Sequence, residues 1–379
     1  MDYMRLFFKL LIRSVLRIIS VFFPIKKRIC FEAYEGRQIA CNPYYIYQLL
    51  VSKYSDLEYI WIYNKKQKRN LTCIRRNTWR YVCTLMSSSV YITNDDIPIY
   101  IPFRRSQMVI NTWHGGGAYK RVGMALCPNF STRVYYKLFN RSISWFISSS
   151  KVFTDIISDS FLVEKQKFLP FGQPRNDIFF NQKDIDYSNK RIRSLYSIQE
   201  HSVVVLYAPT YRSINNPILD SEMELHKIAD IVNKKFGRNP VFLVRNHHGL
   251  STVNFDQSDI AVCDVSHHPS MQELLCAADI LISDYSSCIW DFSFLYRPCF
   301  LFAQDLLDYQ ERQNFYKPIE SWGFPIAVTS EELVKAIAEF DIDDFKQRMI
   351  QHHSDLISYE KGNATESVCQ LIMSHFCKS

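Results

Sequence analysis

Apolar and polar positions along this chain follow two periods in turn. Short β-branched and aromatic runs, too brief for helices, occupy residues 28–34, 58–63, 90–93, 108–112 and 145–148. Apolar residues at helical spacing fill 44–54, 79–87 and 151–160 between them. The second half repeats the alternation, with strands predicted at 202–207, 241–245, 280–283 and 299–302 and helices at 222–236, 270–277 and 286–296. Strands that alternate with helices imply parallel sheets, which take ligands at the carboxyl ends of their strands. The pattern therefore predicts an α/β chain of two Rossmann-like domains, 29–185 and 200–345. The polar segment 181–200 reads as the connection between them, and 346–379 as a helical tail. Two such domains facing a cleft suit a nucleotide donor on one side and an acceptor on the other.

The first 28 residues stand apart. Arg5, Lys9, Arg13 and Arg17 recur every fourth position among Leu, Ile, Phe and Val. On a helix they form one basic stripe along an otherwise apolar cylinder. Four charges argue against a membrane span, and no small-residue cleavage site follows. A helix lying in an anionic membrane surface, with Lys and Arg reaching for headgroups, fits this pattern; a core helix is the plainer alternative.

Charge placement supports the first reading. Of the net +7, residues 1–28 carry +6, which leaves the rest almost balanced. A second cluster, residues 65–80, holds seven basic residues and no acid. Basic charge gathered in this way suggests a membrane surface and not nucleic acid. The eleven cysteines contain no C-x-x-C and read as small core residues of a reducing compartment.

Four segments carry chemistry. In Asn111-Thr-Trp-His-Gly-Gly-Gly-Ala-Tyr-Lys120 a β run stops at a histidine, and the segment with Gly123 holds four of the chain's ten glycines. Glycine permits positive φ and close backbone approach, and imidazole titrates near neutrality. His114 is thus either a general base or a structural histidine in a tight turn. Leu206-Tyr-Ala-Pro-Thr-Tyr-Arg212 ends a strand with Thr210 and Arg212 where a phosphate could sit. Phe242-Leu-Val-Arg-Asn-His-His248 ends another with Arg245, His247 and His248. In Ala278-Asp-Ile-Leu-Ile-Ser-Asp-Tyr-Ser-Ser-Cys-Ile-Trp-Asp291 a strand meets a helix at Ser286 and Ser287. Free N–H groups and hydroxyls there suit an anion, although Asp284 or Ser286 could equally be an ordinary N-cap.

The ordered set resembles the CDP-glycerol glycerophosphotransferase family of teichoic acid primases and polymerases. Its W-H-G loop, Y-A-P-T-x-R strand end, R/K-x-H-P motif and D-Y-S-S segment match in this order. Phe171-Gly-Gln-Pro-Arg-Asn-Asp177 resembles the family's G-x-P-R-x-D turn, Arg297-Pro298 its R-P, and Tyr309-Gln-Glu-Arg-Gln-Asn-Phe-Tyr316 a degenerate R-G-F-Y. His248 stands where the family has proline, and Asn314 where it has glycine.

The resemblance implies a GT-B-like fold, a CDP-glycerol or CDP-ribitol donor, and His114 and His247 as catalytic groups. The acceptor would be a cell-surface polysaccharide of teichoic acid or capsule type, or its polyprenyl-linked precursor, met at the cytoplasmic face of the membrane. On this reading His114 takes the acceptor's proton while Arg212, Arg245 and His247 carry charge on the pyrophosphate. Thr210, Ser286 and Ser287 donate to it, and Gly115, Gly116, Lys120, Asp284 and Asp291 shape the loops. No metal and no cofactor are expected, because basic side chains can do the charge work. A nucleotide-sugar glycosyltransferase on the same architecture is the alternative, and a non-catalytic polysaccharide- or lipid-binding protein is a more distant one.

Overall fold

The computed structural model describes residues 3–65, 71–210, 224–245 and 260–378. Arg212, His247 and His248 lie outside the described residues. The chain forms two compact units. The first runs through Asp177 and takes the chain back from Leu356, and the second is Ile178–Asp355.

The first unit opens with α1 (Tyr3–Ile19) and continues β1 (Lys26–Glu32), α2 (Cys41–Lys53), β2 (Glu58–Ile62), β3 (Cys73–Ile74) and α3 (Trp79–Ser87). It goes on through β4 (Ser88–Thr93), β5 (Met108–Asn111), α4 (Phe130–Ser142), β6 (Trp145–Ile147), α5 (Lys151–Phe161) and β7 (Phe168–Leu169). Its seven strands are all parallel, in the order β3-β2-β1-β4-β5-β6-β7. Every residue of β4 and β5 is buried, as expected of strands covered on both faces. Side-chain caps start α3 and α5: Thr78 accepts from Tyr81 N–H, and Ser150 from Phe153 N–H.

The second unit contains α6 (Gln182–Leu195), β8 (Val203–Tyr207), α7 (Leu225–Phe236), β9 (Pro240–Val244), β10 (Ala261–Asp264) and α8 (Met271–Ala277). After them come β11 (Ile280–Ser283), α9 (Cys288–Ser293), β12 (Cys299–Phe302), α10 (Leu306–Arg312), β13 (Ile326–Ala327), α11 (Ser330–Glu339) and α12 (Ile342–Leu356). Its sheet is parallel too, in the order β10-β9-β8-β11-β12-β13. In both sheets the strand order reverses beside the unit's first strand. Crevices at such points, outside the carboxyl ends, take ligands in open α/β sheets.

Two segments differ from their sequence-based reading. The stretch 181–200 is not a plain linker. Most of it is α6, whose Ile185, Ser188 and Ile192 are buried and which packs on α8. Its apolar stripe is only one residue wide, so average polarity hides it. The tail is two helices. The second, α13 (Ala364–Lys378), joins the first unit, where Val368, Cys369 and Ile372 enter the core with Ile46 and Leu50 of α2. The Asp177 carboxylate accepts the N–H groups of Ala364 (2.9 Å) and Thr365 (2.7 Å), which caps α13.

The α1 helix forms as predicted, but its basic stripe does not all face outward. Arg13 donates to the carbonyls of Ile99 and Ile101, while Leu6 and Leu16 are buried in the first unit's core. Those strand-free carbonyls need donors, and a guanidinium supplies them in a fixed fork. The exposed face is apolar instead, with Phe7, Phe8, Leu11, Ile12, Val15 and Ile18 all open to solvent. Among the described residues no helix is long and apolar enough to cross a membrane.

Candidate active site

In the first unit the histidine loop leaves β5 at the sheet's carboxyl edge. Asn111 Oδ1 accepts the Trp113 N–H at 2.7 Å, a turn that folds the chain back on itself. Of the four glycines Gly123 takes positive φ (59°), while Gly115, Gly116 and Gly117 do not; their neighbours Trp113 (φ 50°) and Ala118 (φ 50°) do. Glycine is needed most clearly at Gly123, where φ is positive and a Cβ would sit 2.3 Å from the Ser160 carbonyl oxygen; a Cβ on Gly117 would displace the Tyr119 ring. The Gly116 carbonyl accepts the hydroxyl of buried Ser149.

His114 is half-buried, stacked on Trp113 (4.6 Å between centroids) with Tyr34 tilted against it at 5.5 Å. Its Nδ1 lies 2.7 Å from the carbonyl oxygen of Asn94 at the end of β4. A carbonyl only accepts, so Nδ1 carries the hydrogen, and in the neutral ring Nε2 holds the basic lone pair. Burial pushes the imidazolium below its ordinary value of 6.5; Arg175 and Lys120 push the same way, and Asp95 opposes them. The ring is therefore neutral at pH 7 and chemically able to take a proton from a hydroxyl.

Several partners of this loop escape a reading of the sequence. Asn42 and Asn94 are fully buried polar residues with no motif around them. Glu360 holds the Phe171–Asp177 turn through Gln173 N–H (2.9 Å) and Asn176 Nδ2 (3.1 Å), 187 and 184 residues away in sequence. Arg175 is visible as part of the G-x-P-R-x-D resemblance, but its electrostatic reach to His114 is not.

In the second unit β8, β9 and β11 end side by side. Thr210 follows β8, and Asp284 follows β11. Asp284 is 1% exposed and accepts both the Thr210 N–H (2.8 and 3.0 Å) and its hydroxyl (2.6 Å). A threonine hydroxyl has one hydrogen, and here a carboxylate takes it. Thr210 thus does not present its hydroxyl hydrogen to an incoming phosphate as expected; it clamps β8 to β11. Arg245 is half-buried at the end of β9, its N–H on the Tyr207 carbonyl at 2.9 Å.

Ser286 and Ser287 are half-exposed on the same edge. Helix α9 is shorter than predicted, six residues, all buried, and Ser287 makes no side-chain cap to it. Asp291 is buried and accepts from Gln272 Nε2 at 3.2 Å, a packing role. Arg297 Nη1 closes the end of α8 on the carbonyls of Cys276 and Ala278. Asn314, standing where glycine was expected, has φ 60°; asparagine is the side chain that best tolerates that region.

The chain matches, over residues 15–374, the model of the family described as CDP-Glycerol:Poly(glycerophosphate) glycerophosphotransferase. It is 27% identical over 367 residues to a teichoic acid poly(glycerol phosphate) polymerase of Staphylococcus epidermidis, covering 91% of this chain and 50% of that one. A protein of the same description from Bacillus spizizenii is 26% identical over 377 residues, with 95% of each chain covered. The chain thus spans about half the length of the first relative and nearly all of the second. A solved structure of the wall teichoic acid polymerase TagF resembles it with a TM-score of 0.83 at 25% identity, covering 100% of this chain and 99% of that one.

Proposed function

Because the chain belongs to the CDP-glycerol:poly(glycerophosphate) glycerophosphotransferase family, we propose that it transfers an alditol phosphate from a CDP-activated donor to a teichoic-acid-type acceptor, releasing CMP. CDP-glycerol is the first donor to test and CDP-ribitol the second. The acceptor is the hydroxyl end of a cell-surface polymer or of its polyprenyl-linked precursor.

The observation that carries this reading is the His114 ring, whose Nδ1 hydrogen goes to the Asn94 carbonyl, so that in the neutral ring the basic lone pair is on Nε2. Nε2 takes the proton of the acceptor hydroxyl. The hydroxyl oxygen forms a bond to the alditol-bearing phosphorus, and the bond from that phosphorus to the bridging oxygen of CMP breaks in line. CMP leaves with the electron pair. Arg245 faces the growing charge, and Ser286 and Ser287 donate to the pyrophosphate, with Thr210 held in place by Asp284. Arg212 and His247 complete the set in this proposal. Phosphoryl transfer needs mainly position and charge, which such a set supplies.

We read the two units as the halves of a GT-B-like enzyme, with the acceptor on 29–185 and the donor on 200–345. The exposed apolar face of α1, flanked by exposed Arg5 and Arg17, serves in this reading as a peripheral anchor on the anionic cytoplasmic face of the membrane. Replacing the exposed Phe7, Phe8, Leu11 and Ile18 with serine, which leaves the buried Leu6 and Leu16 in place, moves the protein from anionic vesicles to the supernatant; retention on vesicles would place the anchor elsewhere.

The test of the reaction is a donor comparison. CDP-glycerol, CDP-ribitol and nucleotide sugars are each incubated with a lipid-linked acceptor, and the released nucleotide is identified. CMP with a new phosphodiester supports the proposal. A released nucleoside diphosphate would make the chain a glycosyltransferase instead.

A further inference from the structure

The peptide preceding His114 is strained and held from several sides. Trp113 has φ 50°, a conformation that costs an L aromatic residue about 1–2 kcal/mol. Such strain persists only where surrounding contacts over-determine it. Here Asn111 Oδ1 takes the Trp113 N–H, the indole packs edge-on to Phe161 at 4.7 Å, and the Trp113 carbonyl accepts Asn42 Nδ2 at 3.0 Å.

Asn42 is 0% exposed and comes from the first turn of α2, 71 residues before Trp113. Its amide is used at both ends. Nδ2 reaches the Trp113 carbonyl, the Thr112 carbonyl at 3.4 Å and Gln173 Oε1, and Oδ1 accepts the Arg175 N–H at 3.0 Å. The residue before it, Cys41, is itself held at φ 61°. One side chain therefore fixes the strained peptide beside His114 and the backbone of Arg175, whose charge bears on the same imidazole. A core asparagine could satisfy its amide with any nearby backbone; this one spans the histidine loop and the Phe171–Asp177 turn.

We propose that Asn42 is a positioning residue for the transfer reaction. It locks the Trp113 peptide so that the imidazole can hold its Nδ1–H bond to Asn94 while Nε2 faces the acceptor hydroxyl. The inference rests on His114 being the base. Its donors matter and its shape does not. Asn42→Asp keeps the volume and the acceptor for Arg175 N–H, but turns an oxygen toward two carbonyls and an amide oxygen.

The experiment uses the full chain with CDP-glycerol and a lipid-linked acceptor, after melting curves have established the folded fraction. Asn42→Asp lowers kcat per folded molecule by about 10- to 100-fold, the size expected of a misplaced catalytic group. The donor KM and the CMP dissociation constant stay within about twofold, because positioning of a base is felt in the transition state and not in donor binding. Asn42→Ser, which retains one donor, falls between wild type and Asn42→Asp, and it is the variant read if Asn42→Asp does not fold. An unchanged kcat per folded molecule, or equal losses in kcat and donor binding, overturns the proposal. His114→Ala is measured alongside. If His114→Ala keeps its turnover, the assignment of the base has failed; if it is inactive while the Asn42 variants turn over normally, only the role of Asn42 has.

Discussion

The clamp between Thr210 and Asp284 makes a quantitative prediction. Thr210→Val keeps the side-chain shape and the N–H bond but removes a 2.6 Å hydroxyl–carboxylate bond in a buried site. A hydrogen bond to a charged group contributes about 1.5–3 kcal/mol, so the variant should lose that much stability. Asp284→Ala removes the acceptor of all three contacts and should cost about 3–5 kcal/mol, more than Thr210→Val because the Thr210 N–H loses its carboxylate as well. In the Asp284→Ala background the hydroxyl–carboxylate bond is already lost, so Thr210→Val should cost clearly less than it does in wild type. Urea unfolding followed by tryptophan fluorescence measures this, since Trp290 and Trp322 of the same unit are buried. CMP affinity should fall about tenfold in both single variants, because Ser286 and Ser287 stand two and three residues after Asp284 in the chain. Additive stability costs would refute the clamp. Lost CMP binding in a fully stable Thr210→Val would show that the hydroxyl touches the pyrophosphate itself.

Three further outcomes follow from the geometry. The kcat/KM profile should keep its activity to below pH 6.5 and lose it as His114 protonates; Lys120→Gln, which removes a nearby positive charge, should move that limb upward. Asp96, raised to about 6 by burial beside Asp95, also titrates below pH 7, and Asp96→Asn tells its contribution from that of His114. Ser286→Ala with Ser287→Ala should weaken CDP-donor binding by about 1.5–3 kcal/mol for each lost bond to the pyrophosphate, with the melting curve unchanged; calorimetry showing equal affinity removes both from the site. Burial holds His352 down to about 4 and His353 to about 3, so both are neutral in the folded chain and protonate first in the unfolded one. Their stabilising contribution is present above pH 6.5 and lost as the pH falls toward those values, up to about 2 kcal/mol per histidine at pH 5. His352→Gln should flatten the decline of the urea midpoint between pH 7 and 5.

The buried strands of both sheets are legible in the sequence because runs such as Ile280–Ser283 are covered on both faces and nearly free of polar residues, whereas edge strand β10 (Ala261–Asp264), half-exposed and ending in Asp264, is missed. The two-residue strands β3, β7 and β13 are not legible either, since a pair of residues has no period to read. Helix α6 is hidden because two isoleucines and a serine make its whole buried face. In the proposed site, His114, Asp284 and the serine pair draw notice because they stand in runs of unusual composition. Asn42 and Glu360 cannot, because their partners are more than 70 and more than 180 residues away. For Thr210 the sequence does not reveal the partner. It shows a hydroxyl at a strand end, and only the fold shows which acceptor takes its hydrogen.

The central claim is that His114 is the base of an alditol-phosphate transfer. It is tested most directly by single-turnover kinetics of wild type and His114→Ala with CDP-glycerol and a lipid-linked acceptor, following CMP and the new phosphodiester in the same samples. Equal amounts of the two products in wild type are predicted. His114→Ala should turn over about 10²- to 10⁴-fold more slowly, the range for loss of a general base, while binding CDP-glycerol with wild-type affinity. A His114→Ala enzyme that forms phosphodiester at the wild-type rate, or a wild type that releases CMP without forming one, would contradict it.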